Sequence, residues 1–295
     1  VKKSRMIELR DEFLLNEKFD EKSLKTQEHY EHVINMFMNY IKSDEVSKIE
    51  IMKFKEYLID NFKPSTINNY IIIVNKFIKY CEIVEKHGEF KLEKLKKWES
   101  NNTLKLVRVQ NKQSLADVLE PEDLKRMLRM AKSKKVKRMD MYLIMKIFAY
   151  TGIRAHELSA FTVENIQKNF INVRNKGKIR TIILRNDLKK ELNKYCSEKK
   201  IESGYIFYGK NKDKMIDPST IYKNLKKIAG KCRGIKIEKV HPHSFRHLFA
   251  IKFLEDGGDI TELADILGHS SVDTTRIYTR TTDKMKKKRL EKMKY

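Results

Sequence analysis

The sequence predicts a mainly α protein with a small β-hairpin insert, arranged as two domains. Three observations carry this. Apolar residues recur at helical spacing through most of residues 1–100 and again beyond Leu119. A polar, basic stretch without periodicity runs through Ser100-Asn101-Asn102-Thr103 and Val107-Arg108-Val109-Gln110-Asn111-Lys112-Gln113. Alternation of the strand type is confined to Phe170–Leu184, around the turn Asn175-Lys176-Gly177-Lys178. The expected boundaries are a helical domain over 1–103, a linker over 104–114 and a second domain over 115–295.

In the first domain, Thr26-Gln27-Glu28-His29-Tyr30 leads into Val33, Ile34, Phe37, Met38 and Ile41, an i, i+3, i+4, i+7 pattern. Ser47 precedes a second amphipathic helix with Ile49, Ile51, Phe54, Tyr57 and Leu58 on its apolar face. After Lys63-Pro64, Ser65 is the expected cap of a third, whose core face is Val74, Phe77, Ile78 and Tyr80. In the second domain, Pro121 suits the first turn of a helix and Glu122 and Asp123 complement its dipole. Met141–Tyr150 is a buried helix ended by Thr151-Gly152, and Ile153-Arg154-Ala155-His156-Glu157-Leu158 begins another. Helices follow the hairpin over Asp187–Cys196, from Pro218 to Gly230, and over His243–Leu254. Gly257-Gly258 ends the last of these. Asp259 and Glu262 form a D-x-x-E cap for a helix with Leu263, Ile266 and Leu267. Ser271 caps a turn-rich segment with Ile277 and Tyr278, and the basic stretch from Asp283 to Tyr295 reads as a tail helix.

Lys and Arg number 64 against 40 Asp and Glu, a formal charge of +24. Such an excess is self-repelling unless it meets a polyanion, and nucleic acid is the natural partner. The three cysteines, Cys81, Cys196 and Cys232, are far apart, which argues against a disulfide framework or a zinc site. No apolar signal region and no apolar run of membrane-spanning length is present, so a cytoplasmic protein without a membrane partner is expected. P-loop, G-x-G-x-x-G and H-E-x-x-H patterns are absent, and no cofactor or metal is expected.

A different set of residues carries chemistry. Arg154 follows Thr151-Gly152, and Arg246 follows His243 by three positions with His247 just after it. On a helix, His243, Arg246 and His247 share one face. His269 stands in Leu267-Gly268-His269, Tyr278 nine positions later, and Lys176 at the hairpin tip. Each of these groups binds, protonates or attacks a phosphate, and the set lacks the carboxylates of a metal cage.

TGIRAHEL, NKGKIRTIIL, HPHSFRHLFA and LGHSSVDTTRIYTR resemble the four signature boxes of the tyrosine recombinase family, the phage integrase and Xer-like enzymes. The resemblance is strong over residues 115–282. Over the first domain it is one of general character, a helical, SAM-like core-binding domain. It implies a two-domain DNA clamp and a site-specific recombinase that cleaves and rejoins DNA through a 3′-phosphotyrosine without metal or ATP. It implies Tyr278 as nucleophile and Arg154 and Arg246 as the grip on the scissile phosphate. His243 matches the first histidine of H-x-x-R and would take the phenol proton, and His269 would donate to a non-bridging oxygen. Lys176 resembles the hairpin lysine that protonates the leaving oxygen. The turn is one residue shorter than the common G-K-G-x-K-x-R, which leaves Lys178 as an alternative. Glu157 and His247 are expected as supports. Lys63, Ser65, Thr66, Asn69, Lys178 and Arg180 are expected against the DNA backbone.

The partners implied are double-stranded recombination sites and further copies of the chain, a tetramer on DNA, with the tail exchanged between subunits. A two-domain member without an arm-binding domain is expected, although Val1 is not a start methionine. Two other readings stand beside it. One is a type IB topoisomerase-like or resolvase transesterase sharing the site. The other is a non-enzymatic DNA reader, with Phe249–Leu267 as a helix-turn-helix and Tyr278 in its core.

Overall fold

A computed structural model describes the chain except for residues 20–23, 89–97, 109–117, 169, 176–177, 270, 280–289, 292 and 294–295. The chain divides into two compact units, Val1–Lys112 and Gln113–Tyr295. Among the described residues, no helix is long and apolar enough to cross a membrane.

The N-terminal unit packs four helices, α1 (Lys3–Phe19), α2 (Leu24–Tyr40), α3 (Lys48–Asn61) and α4 (Pro64–His87). The helical spacing seen in the sequence puts Val33, Ile34, Phe37 and Met38 of α2 on one stripe. It buries them against Phe13 of α1, Phe54 of α3 and Ile71, Val74 and Phe77 of α4. Ser47 caps α3 as expected, with its side chain on the Glu50 amide and the Glu50 carboxylate returned to the Ser47 amide. Two expectations fail here. Ile49 is 67% exposed because it lies in the first turn, outside the Ile51–Phe54–Leu58 stripe. The cap of α4 is Lys63, not Ser65: proline fits the first helical position, so the helix starts two residues earlier.

The expected linker begins later than residue 104. Two asparagines of α4 hold residues 104–107 as a strap. Asn75 accepts from the Leu104 amide at 2.7 Å and donates to its carbonyl at 2.8 Å. Asn68 does the same for Val107, at 2.8 and 2.9 Å. Leu104 is buried in this unit's core.

The C-terminal unit is built around α6 (Met139–Thr151), which is buried on nearly every side. Against it pack α5 (Pro121–Lys132), α8 (Asn186–Lys199), α9 (Pro218–Gly230) and α10 (Pro242–Glu255), while the short α7 (Val163–Gln167) packs on α8. Strands β1 (Phe170–Asn175) and β2 (Lys178–Ile183) pair antiparallel, with Asn175 opposite Lys178. Ile171, Val173 and Ile182 face the core. The short helix α11 (Ile260–Leu267) starts on Asp259, whose carboxylate accepts from the Thr261 and Glu262 amides. Two 3-10 turns, Val272–Thr274 and Arg276–Tyr278, follow. Most of the expected tail helix lies outside the described residues; of its apolar stripe, Leu290 and Met293 are exposed.

Candidate active site

The site forms where α6, α10, α11 and β2 meet. Helix α6 ends at Gly152, which adopts φ +61°. A Cβ there would stand 2.5 Å from Phe249 Cδ1 and 2.9 Å from Leu267 Cδ2. Only glycine turns the chain at this point while two side chains close over it. The turn leaves the Gly152 carbonyl pointing at α10.

Arg246 is buried, with 3% of its surface exposed. Its Nη1 donates to Gly152 O at 2.6 Å, and its Nη2 donates to Leu267 O at 2.7 Å. Nη2 also lies 2.9 Å from His269 Nε2. A guanidinium has no acceptor, so Nε2 must offer its lone pair. His269 Nδ1 therefore carries the ring proton and donates to Thr275 Oγ1 at 2.7 Å. Burial, with Arg246 and Arg154 nearby, holds His269 down to about 4, so the ring is neutral. His269 thus links Thr275 to Arg246 and fixes the plane of the guanidinium.

Arg154 sits at the cap of the 3-10 helix Ala155–Ala160, just outside its start, because the helix begins at Ala155 and not at Ile153 as the sequence suggested. Its amide donates to Glu157 Oε2 at 2.7 Å and its Nη1 to Oε1 at 3.3 Å. Glu157 is 1% exposed. Its second cation is Arg180 from β2, with Nη2 2.5 Å from Oε2 and Nε 3.3 Å from Oε1. Burial pushes the Glu157 carboxyl up, but Arg180 and Arg154 outweigh it and hold it below its usual range. Glu157 thus holds two arginines from different elements on one carboxylate.

Arg180 is a correction. It was expected on DNA, but its Nη1 bonds Ile266 O and its other nitrogens bond Glu157. It ties β2 to Glu157 and to the end of α11. Gly268 leaves room for it: a Cβ there would meet Arg180 Cδ at 2.6 Å.

Tyr278 is 5% exposed, on the 3-10 turn Arg276–Tyr278, within a small cluster with Ala250, Leu263 and Leu267. Burial raises its pKa, opposed by the charge of Arg246 and a hydrogen bond from it, and by Arg154. The His247 ring lies 5.3 Å from the Tyr278 ring, and His243 lies 6.4 Å from His247. Burial, reinforced by Arg246 and other cations or imidazoles, lowers His243 and takes His247 down to about 4, so both are neutral. At His243 the desolvation is partial: the residue keeps an open face to solvent, and the charges of Arg246 and Arg154 add to the lowering.

The structure therefore brings Arg154, Glu157, His243, Arg246, His247, His269 and Tyr278 together in one chain. Lys176 lies outside the described residues, as does the side chain of Lys178. In the other unit Lys63, Ser65 and Asn69 are exposed and Thr66 is partly buried, with Asn69 Nδ2 3.0 Å from His29 Nε2. Sequence reasoning missed Thr275, Arg180 in its bracing role, and His241, whose Nδ1 accepts from the Ser244 amide at 3.2 Å to cap α10. The signal for His241 was present: it immediately precedes Pro242, the first residue of α10.

Residues 117–285 match the model of the phage integrase family. The chain is 35% identical over 186 residues to the tyrosine recombinase XerA of Pyrococcus furiosus, covering 61% of this chain and 62% of that protein. It is 28% identical over 283 residues to XerA of Pyrococcus horikoshii, covering 89% of this chain and 93% of that one. Its fold is that of the XerH site-specific recombinase bound to a palindromic difH substrate after cleavage, at TM-score 0.69, 22% identity, and coverage of 92% and 80%. The matched region contains every residue of the cluster from Arg154 to Tyr278, and the chain belongs to the phage integrase family of site-specific tyrosine recombinases.

Proposed function

We propose that this chain cuts and rejoins double-stranded DNA by transesterification at Tyr278, acting within its own subunit. One observation carries the reading. Arg154 and Arg180 pair with a single carboxylate, Glu157, while Arg246 beside them is held by two backbone carbonyls and an imidazole. The cluster is short of negative charge, and burial first, with crowding by Arg154 and Arg180 second, takes Arg246 down to about 10. An arriving phosphodiester supplies the missing charge. Its pentacoordinate transition state carries more negative charge still, so the stabilisation grows along the reaction.

The Tyr278 oxygen attacks phosphorus, the bond to the 5′-oxygen breaks, and a 3′-phosphotyrosine forms. The phenol proton passes to His243, which is neutral and open to solvent. The leaving 5′-oxygen takes a proton from the hairpin lysine, Lys176 or Lys178. Rejoining reverses these steps with a different 5′-hydroxyl. Arg246 arrives pre-aimed, since two backbone carbonyls and His269 fix its plane. Exchange between two duplexes requires four cuts, hence four chains, with the helical N-terminal unit and Lys63, Ser65, Thr66 and Asn69 on the DNA backbone.

The test is to incubate the full chain with sheared DNA, quench in SDS and score protein-linked fragments. Wild type should give an adduct whose mapped end defines the site. Tyr278→Phe should give none while still shifting the same DNA in a gel. An adduct formed by Tyr278→Phe, or none by wild type, would sink the proposal. Nicked half-sites then separate strand exchange from simple relaxation.

A further inference from the structure

Thr275 is fully buried, and it stands at the joint between the two 3-10 turns. Its hydroxyl oxygen receives the proton on His269 Nδ1 at 2.7 Å. Its carbonyl accepts from the Tyr278 amide at 3.0 Å. Its own amide donates to Val272 O at 2.8 Å. One residue thus touches both halves of the site: the imidazole that aims Arg246 and the turn that carries the nucleophile.

The tautomer gives this chemical force. His269 can present a bare Nε2 to Arg246 only if its proton sits on Nδ1, and that proton needs a buried acceptor. Thr275 Oγ1 is that acceptor. Without it, the proton moves to Nε2 and faces a guanidinium N–H, donor against donor, and Arg246 must rotate away from one of its three supports. The relay of contacts is local and directional, running from hydroxyl to ring to guanidinium.

We infer that Thr275 is a positioning residue for the transesterification: its hydroxyl fixes the His269 tautomer that aims Arg246, and its carbonyl sets the turn presenting Tyr278, so grip and nucleophile are aligned by one side chain and its backbone. This rests on the reaction proposed above for its kinetic part alone. The tautomer can be read without DNA.

Two measurements test it on the full chain. The first is ¹⁵N NMR of the imidazoles, with His269 assigned by His269→Gln. Wild type and Thr275→Ser should carry the proton on Nδ1, and Thr275→Val on Nε2. The second is single-turnover adduct formation on a nicked duplex bearing the cleavage site mapped by trapping. Thr275→Val should slow it by about tenfold to a hundredfold, the scale of leaving one buried donor unmatched at a site that must stay aimed. Its affinity for the duplex should be unchanged, and Thr275→Ser should restore the rate. A wild-type His269 protonated on Nε2 overturns the inference even if every variant misfolds. So does Thr275→Val reacting at the wild-type rate, or Thr275→Ser as slow as Thr275→Val, since then the hydroxyl is not the feature that matters. A wild type that forms no adduct on any DNA removes the reaction itself, and that failure is distinguishable because the tautomer is measured separately.

Discussion

The two units bury different things. Among the described residues of the N-terminal unit, Glu17 is the one buried charged or polar side chain, and it meets Lys76 Nζ at 2.5 Å. The C-terminal unit buries Asp123, Lys146, Thr151, Glu157, Ser244, Arg246 and Thr275. Lys146 is answered by Glu191 at 2.7 Å, but Arg246 is held by carbonyls and an imidazole and has other arginines for neighbours. The first unit is organised for stability. The second gives up some stability to keep a cation dry and ready for an anion that the protein does not itself contain.

That contrast predicts opposite outcomes for two substitutions. Phe37→Ala, at a wholly buried position in the N-terminal core, should cost about 3–5 kcal/mol of stability through lost transfer energy and a cavity. Trp98, the single tryptophan, bonds Glu82 Oε2 at 2.9 Å in the same unit and reports it by fluorescence during denaturation. Arg246→Met should do the reverse. Adduct formation should fall by about 10²–10³, while stability, read by hydrogen exchange of α6 and α10, changes by less than about 1 kcal/mol. A large loss of protection in Arg246→Met would mean that the guanidinium is structural, and the contrast would fail.

A pair of glycines sharpens it. Gly88 and Gly152 both end helices with positive φ, at +73° and +61°. A Cβ on Gly88 meets nothing within 4 Å, whereas one on Gly152 would run into Phe249 and Leu267. Gly88→Ala should cost about 1–2 kcal/mol, the backbone term alone. Gly152→Ala adds overpacking of about 1–3 kcal/mol and displaces the carbonyl that holds Arg246. It should therefore slow adduct formation as well, where Gly88→Ala does not. Equal stability losses for the two would show that the crowding relaxes freely.

What the sequence made legible follows the same division. Ser47, Pro121 and the stripe Val33–Ile34–Phe37–Met38 are local signals, set by neighbours within one or two turns, and the structure agrees with them. Ile49 and Ser65 failed by a fraction of a turn, where periodicity cannot fix an end. Arg154, Arg246 and Tyr278 were found through motif resemblance. What holds them was not. Gly152 O lies 94 positions from Arg246, and Ile266 O lies 86 from Arg180. A backbone carbonyl has no residue-type signature, so a site built on carbonyls leaves little trace in composition or spacing. Thr275 was hidden for another reason: a threonine in a turn-rich segment looks like an ordinary cap until the ring opposite it is placed.

The smallest expected effect concerns pH. His247 and His269 are held down to about 4 in the folded chain, by burial first and by neighbouring cations or imidazoles second. In the unfolded chain a histidine titrates near about 6.5. Between those values the unfolded chain binds protons that the folded chain does not, so stability rises with pH across the window. The contribution is fully present above about 6.5 and is lost as pH falls toward 4. At pH 5 each ring should cost about 1–2 kcal/mol, after allowing for its partial exposure. Because both rings lie in the C-terminal unit, the loss should appear in hydrogen exchange of α10 peptides, with the Trp98 signal less affected. His247→Gln should remove its share of the slope while leaving that of His269. A slope between pH 7 and 5 identical in wild type and His247→Gln would show that His247 takes up its proton in the folded chain as readily as in the unfolded one, and that burial beside Tyr278 does not keep it neutral.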